Sequence, residues 1–406
     1  MMKPFKANEI QMVEGFKNTE VGIIPSDWEV KAIGDISIIS VGKDLKKENY
    51  SKDQDSNYKY PVYSNTVLGA GLYGYYNVSE FSGESLTVVG RGVGLGTAFK
   101  RSEEYGAIGR LLVLMPHKNI DAKYLTEFIN YKINIFFESS GVPQLTGISF
   151  AKYKVALPPT KAEQTAIALA LSEVEGLITQ LEKLIAKKRN IKQGAMQKCL
   201  NPDFWDSLDD RDLKDKKKSG QSLNHINHSS DKWQVKKLGK IAEIYQPQTI
   251  SQDVFVKDGY LVYGANGIVG MYDKYNHETW QTTITCRGST CGTVNRTIDK
   301  CWITGNAMVI NVDRNISIDK LFFYYILANQ DFRKCITGSG QPQIIKTPLR
   351  EFEIQLPEEK AKQIHIAQIL SDMDTEIESL EKKLEKYKML KQGMMQNLLT
   401  GKIRLI

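Results

Sequence analysis

No run of about 18 apolar residues occurs anywhere in the 406-residue chain, so a membrane-spanning helix is excluded. Met1 to Ile10 lacks the apolar core of a secretion signal, because Lys3, Lys6 and Glu9 interrupt it. A cytoplasmic protein with no membrane partner is expected. Cysteine is scarce: the five residues Cys199, Cys286, Cys291, Cys301 and Cys335 suit a reducing compartment. Three of them lie near His277, but four residues separate Cys286 from Cys291 where structural zinc sites usually place two. The first half of the chain has no matching set, and buried thiols without metal are expected. Histidine is equally scarce, with five residues and no Ser or Asp pattern around them that would mark a nucleophile. His225 and His228 fall in a polar stretch, and His365 on a helical one. A dominant charge is also missing. Lys and Arg number 54 against 47 Asp and Glu, a net +7 that permits nucleic-acid binding without singling it out.

Two motifs resemble catalytic or cofactor signatures and fail on inspection. Gly90-Arg91-Gly92-Val93-Gly94-Leu95-Gly96 is glycine-rich, but a phosphate cradle needs a helix directly after it, and Thr97 to Lys100 reads as a strand. Asn201-Pro202-Asp203-Phe204 is one residue away from an amino-methyltransferase motif, yet Asp203 replaces a proline and no methyl-donor loop precedes it. Asn-Pro after a long helix is an ordinary stop signal. The chain is therefore expected to carry no catalysis and to bind no cofactor.

What the sequence does contain is a duplication. Leu157–Leu200 and Leu356–Leu399 align without a gap at an offset of 199, with about 20 of 44 positions identical. Shared residues include Leu157-Pro158 with Leu356-Pro357, Gln164 with Gln363, and Lys192 to Gly194 with Lys391 to Gly393. Upstream the match is looser: Trp28 with Trp233, Tyr60 to Tyr63 with Tyr260 to Tyr263, Arg91-Gly92 with Arg287-Gly288, and Pro143-Gln144 with Pro342-Gln343. Two variable globular units are each followed by a nearly constant segment.

The constant segments read as helices. In the first, Ile167, Ala170, Val174, Leu177, Leu181, Leu184 and Ile191 alternate three- and four-residue steps. In the second, Ile366, Ile369, Met373, Ile377, Leu380, Leu384 and Tyr387 do the same, which is coiled-coil spacing. A core of Ile167, Val174, Leu177, Leu181 and Leu184 against Ile366, Met373, Ile377, Leu380 and Leu384 is expected. Each helix of about 40 residues would span roughly 60 Å. In the variable units, short runs (Leu86 to Val89, Thr282 to Cys286, Leu111 to Met115, Met308 to Val312) predict strands, and Ala122–Phe137 and Lys320–Cys335 predict one helix each. The expected fold is α+β: two mixed α/β globular domains separated by two long helices in an antiparallel coiled coil, a tandem repeat of approximate two-fold symmetry. The boundaries are residues 1–158 with the N-terminal lead-in, 159–200 helical, 201–230 a polar flexible linker, 231–357 the second domain and 358–406 helical.

This organisation resembles the specificity subunits of type I restriction–modification enzymes. Gly22-Ile23-Ile24-Pro25-Ser26-Asp27-Trp28-Glu29 is similar to that family's opening to its first recognition domain, and Leu157-Pro158-Pro159 through Ile167 to the start of its helical regions. Gly340-Gln341-Pro342-Gln343-Ile344 is similar to its domain-closing loop. The resemblance implies double-stranded DNA as ligand, two adenine-N6 methyltransferase subunits and restriction subunits as partners, and a split target read half by half. S-adenosylmethionine, ATP and Mg are then expected on those partners. Because the two heads differ while their supports match, the target should be asymmetric. Rival readings are a fused methyltransferase or nuclease, which lacks its motifs, and a scaffold that binds only proteins.

Candidate DNA contacts follow from residue type and placement. Arg91 and Arg287 each open a turn after a strand and can read guanine or grip phosphate. Lys43, Lys46, Lys47, Tyr50 and Lys52 form a basic loop with an aromatic. The second unit has Gln246, Gln248 and Thr249 there, and Gln248 and Asn266 suit adenine edges. Arg110 and Lys346 complete the set. Gln144 and Gln343 recur in both heads and are expected to be structural or phosphate contacts.

Overall fold

The computed structural model describes residues 15–133, 144–202, 233–338 and 342–405. It divides into two compact units, Met1–Glu182 with Lys383–Ile406, and Lys183–Lys382. The expected linker at 201–230 lies outside the described residues except for its first two positions, as do Gly340 and Gln341.

In unit 1 a four-stranded antiparallel sheet runs in the order Ser37–Val41, Leu112–Pro116, Ser85–Val88, Ala98–Arg101. A second sheet orders Gly106–Ala107, Tyr60–Tyr63, Leu72–Tyr76 and Tyr50–Ser51, and Glu29–Ala32 pairs with Lys154–Leu157. The helix Ala122–Lys132 packs its apolar face (Tyr124, Leu125, Phe128, Ile129) into the core with Leu86, Val88, Leu112 and Leu114. It starts because the Asp121 carboxylate accepts the Lys123 and Tyr124 N–H groups, both at 2.9 Å. Its C-cap is Ile133, and the remaining expected helical positions lie outside the described residues.

Unit 2 repeats the order: Glu243–Tyr245, Ala307–Asn311, Thr282–Thr285, Val294–Arg296, with Gly267–Tyr272, Tyr260–Gly264 and Trp302–Ile303 as the second sheet. Trp233–Lys237 pairs with Glu353–Pro357. The helix predicted over Lys320–Cys335 is shorter than expected. It spans Lys320–Ala328, and Asp331 then caps a separate 3-10 turn, Phe332–Cys335, by accepting the Arg333 N–H at 3.0 Å. An acceptor side chain that bonds the backbone two residues on competes with helix continuation.

The constant segments are helices of 39 residues each, Lys161–Cys199 and Lys360–Leu398. In unit 1 Lys391 bonds Glu175 at 2.6 Å and Lys388 pairs with Glu182 at 3.4 Å. In unit 2 Lys188 bonds Glu376 at 2.6 Å, and Lys192 pairs with Asp374. Within each unit the partner's number falls as the first helix's number rises. The expected core needs correcting. Ile167, Val174, Leu181, Ile366, Ile377 and Leu384 are buried, and Met373 and Leu380 half-buried. Leu177 and Leu184, however, are exposed at 42% and 38%, and Leu171, Ile178 and Ile185 take their places. Two apolar stripes lie one residue apart on this helix. The one that faces inward is the one also apolar in the second copy, since Ile178 matches Ile377 whereas Leu177 matches Glu376.

One repeated device joins each helix to its globular head. The Gln164 amide, 2% exposed, accepts the Asp121 N–H at 2.9 Å and donates to the Pro158 carbonyl at 3.3 Å. Gln363, 1% exposed, accepts the Asp319 N–H at 2.8 Å and donates to Pro357 at 2.9 Å and Ser317 at 3.2 Å. Both amides satisfy backbone groups that burial would otherwise leave unpaired.

Candidate nucleic-acid interface

The glycine-rich turn of each head leaves the central sheet and returns to it. In unit 1 Val89 donates to Thr97 at 2.9 Å and Gly96 to Val89 at 2.8 Å, closing a loop whose glycines 92, 94 and 96 all have φ between 83° and 86°. In unit 2 Thr285 donates to Thr293 and Gly292 to Thr285, both at 2.9 Å, with Gly288 and Gly292 at 87° and 93°. That left-handed region disfavours any side chain, which explains the glycines at matching positions. A strand, Ala98–Arg101 or Val294–Arg296, follows the turn, as the sequence predicts, so the turn does not lead into a helix.

Each turn is fastened to a returning segment in the same way. Leu145 donates to the Gly90 carbonyl at 2.8 Å, and Arg91 pairs with Gln144 in a backbone bridge. Ile344 donates to Cys286 at 2.9 Å, and Arg287 bridges to Gln343. The shared glutamines thus hold their places through main-chain pairing with the arginines. Both arginine side chains are exposed.

In unit 1 Lys43 and Arg110, both exposed, line one groove of about 880 Å³ together with Asp44, Gln144, Thr146 and Ile148. Arg110 sits at φ 66°, and such a conformation in a non-glycine residue marks a position the fold enforces. Lys47 and Lys52 are exposed. Two others are occupied within the head. The Lys46 ammonium bonds Glu80 at 2.8 Å, which holds its pKa above the usual lysine value. The Tyr50 hydroxyl donates to the Tyr73 carbonyl at 3.1 Å, and its ring lies tilted on Tyr73 and edge-on to Tyr76.

In unit 2 the Gln248 side chain is exposed while its carbonyl accepts the Trp302 indole N–H at 3.3 Å. Thr249 is exposed beside Gly305, where an added Cβ would come within 2.7 Å of its hydroxyl. Gln246 donates to the Gly305 carbonyl at 3.1 Å. Asn266, at the tip of the hairpin, accepts from Asn295 at 3.3 Å. Lys346 is exposed and opens the short helix Lys346–Glu351.

Cys286 and Cys301 are fully buried, and burial pushes the Cys286 thiol up to about 11. His277 stacks on Tyr245 and holds its hydroxyl at 2.9 Å, with Asn276 on the other ring nitrogen at 2.6 Å. Burial lowers its pKa to about 4.

Sequence reasoning missed two organising residues of unit 1. The Asn65 side chain accepts the Gly90 N–H at 2.8 Å and also donates to the Gly109 carbonyl, tying three loops together. Arg101, 5% exposed, donates to Thr87 at 3.1 Å and to Ala70, and lies 3.4 Å from the Tyr63 ring centroid. Neither has a repeat counterpart of the same type, Ala265 and Thr297 standing at their places, so self-comparison could not reveal them.

The tandem organisation has counterparts among known proteins. The family described as Type I restriction modification DNA specificity domain matches residues 25–193 and again 230–388. The Type I restriction enzyme MjaVIII specificity subunit of Methanocaldococcus jannaschii is 25% identical, over 96% of this chain and 96% of its own length. The putative MjaX specificity subunit of the same organism is 27% identical, over 96% and 97%. The crystal structure of a type I restriction–modification S subunit from M. genitalium covers 91% of this chain and 96% of its own at 16% identity, with a TM-score of 0.66.

Proposed function

From the premise that this chain belongs to the type I restriction–modification DNA specificity family, we propose that its two heads each read one half of a split, asymmetric DNA target. The observation that carries this reading is one edge built twice with different side chains. Arg91 bridged to Gln144 and Arg287 bridged to Gln343 share their backbone frame. Around that frame, unit 1 presents Lys43 and Arg110, and unit 2 presents Gln248, Thr249 and Asn266. Cations grip phosphates in any sequence and can read guanine, whereas side-chain amides pair with adenine edges. Arg287 and Lys346 serve the second head as Arg91 serves the first.

The long helices would pair as an antiparallel coiled coil that separates the heads and receives two methyltransferase subunits, with restriction subunits joining the complex in the cytoplasm. The chain itself contributes sequence reading and positioning. S-adenosylmethionine, ATP and Mg would bind the partners.

Reconstitution tests this. The chain alone should transfer no methyl group, and adding its methyltransferase partner should give adenine methylation at a two-part site. Robust methylation by the chain alone would refute the reading. Lengthening both helices by four residues, after Lys187 and Lys386, adds about 6 Å and roughly 40° beyond a full turn. The unspecified gap should then widen by about one or two base pairs of roughly 3.4 Å each, with both half-sequences retained.

A further inference from the structure

The two heads differ in one built feature that their shared frame does not require. In unit 2 the hairpin between the second-sheet strands is tight, Gly264 pairing directly with Gly267. In unit 1 the corresponding strands pair at Tyr63 and Leu72, leaving an eight-residue loop between them. Its tip carries Leu68, 79% exposed, beside the glycine-rich turn whose own tip is Val93, 88% exposed. The loops are fastened to each other. Asn65 bonds Gly90 at 2.8 Å, and a Cβ on Gly94 would lie 2.3 Å from a Val67 methyl. The far limb of the longer loop holds Gly69, Ala70 and Gly71 at φ 56°, 52° and 89°, and the buried Arg101 guanidinium donates to the Ala70 carbonyl. A non-glycine residue in that region persists only when its surroundings enforce it. The loops bearing both tips are therefore braced, with exposed Arg91 two residues before Val93 and Arg110 next to the residue whose carbonyl Asn65 holds.

We propose that Leu68 and Val93 form an apolar reader through which the first head recognises the 5-methyl group of a thymine in the major groove. This rests on the DNA-reading function above. The thymine methyl is the one apolar group among the base edges of that groove, and apolar side chains contact it directly. Arg91 and Arg110 supply the phosphate attraction that would bring the tips into a groove. The second head replaces Val93-Gly94 with Ser289-Thr290, polar groups suited to a hydrogen-bonding edge.

The test uses the chain assembled with its methyltransferase partner. Methylation mapping first identifies the two half-sites. Duplexes are then made with deoxyuridine replacing each thymidine of the first half-site singly, which removes one methyl and leaves pairing intact. At one or more positions the wild-type complex should bind on the order of fourfold more weakly, the worth of one buried methyl. The Leu68→Ser/Val93→Ser double variant should lose that sensitivity while methylating sites whose second half is unchanged, which also shows that it is folded. Indifference of the wild type to every replacement would overturn the inference, as would full sensitivity in the double variant. Absence of any two-part site in the wild type would instead overturn the function itself.

Discussion

The two units are most alike where the helices leave them and least alike at the edge that carries Arg91 or Arg287. Gln164 and Gln363 make matching bonds to the residue that caps the head helix, Asp121 or Asp319, and to the proline ahead of the long helix. At the opposite extreme, Lys43 and Arg110 line a groove in one head while Gln248 and Thr249 stand in the other. The difference separates two demands. A junction repeats because each head must satisfy the same backbone groups where its helix begins, whereas a reader must diverge if each head reads its own sequence.

Removing the junction amide should have the largest effect on stability. Gln164→Leu leaves a buried N–H and two carbonyls without their partner and should destabilise unit 1 by about 3 kcal/mol, at the upper end for such groups. Gln363→Leu should do the same in unit 2. Peptide-resolved hydrogen exchange would show faster opening confined to the altered unit, and equal loss in both would mean that the heads are not separately stabilised.

Acid should then distinguish the units. His277 occupies the place of Phe81, each making an isolated backbone bridge, to Cys301 or Tyr105. Burial favours the neutral imidazole, so its contribution is complete above the ordinary value of 6.5 and is lost as pH falls toward about 4. Unit 2 should lose about 3 kcal/mol over that window relative to unit 1. His277→Phe should abolish the difference, and a persisting difference in exchange between pH 7 and pH 4 would assign it elsewhere.

A smaller contrast lies where head meets helix. In unit 2 the Tyr325 hydroxyl donates to Asp374 at 2.7 Å beside Lys192, and in unit 1 the buried Glu127 faces Lys391, which also bonds Glu175. Tyr325→Phe should cost about 1 kcal/mol. Glu127→Gln should cost less, because the amide can still accept from Lys123, 2.7 Å from Glu127, and Lys391 keeps Glu175; thermal unfolding of both variants would rank them.

How much of this was legible follows the same division. The tandem architecture could be read because Leu157–Leu200 and Leu356–Leu399 repeat, and repetition exposes what packing requires. The strands at Ser85–Val88 and Thr282–Thr285 could be read from their β-rich runs between glycines. The inward face of the helix was misplaced at Leu177 and Leu184 because spacing alone does not choose between adjacent apolar stripes, although the aligned copy does. The brace formed by Asn65 and Arg101 was invisible, since it depends on loops that meet only in the folded unit. For the same reason Lys46 and Tyr50 looked free in the sequence, whereas Glu80 and Tyr73 engage them in the fold.

The central claim is that the heads read independently. It is tested most directly by replacing Trp28–Leu157 with another recognition domain and mapping adenine methylation genome-wide in cells that supply the methyltransferase. The account predicts a new first half-site joined to an unchanged second half-site. A change in both halves, or in neither, would contradict it.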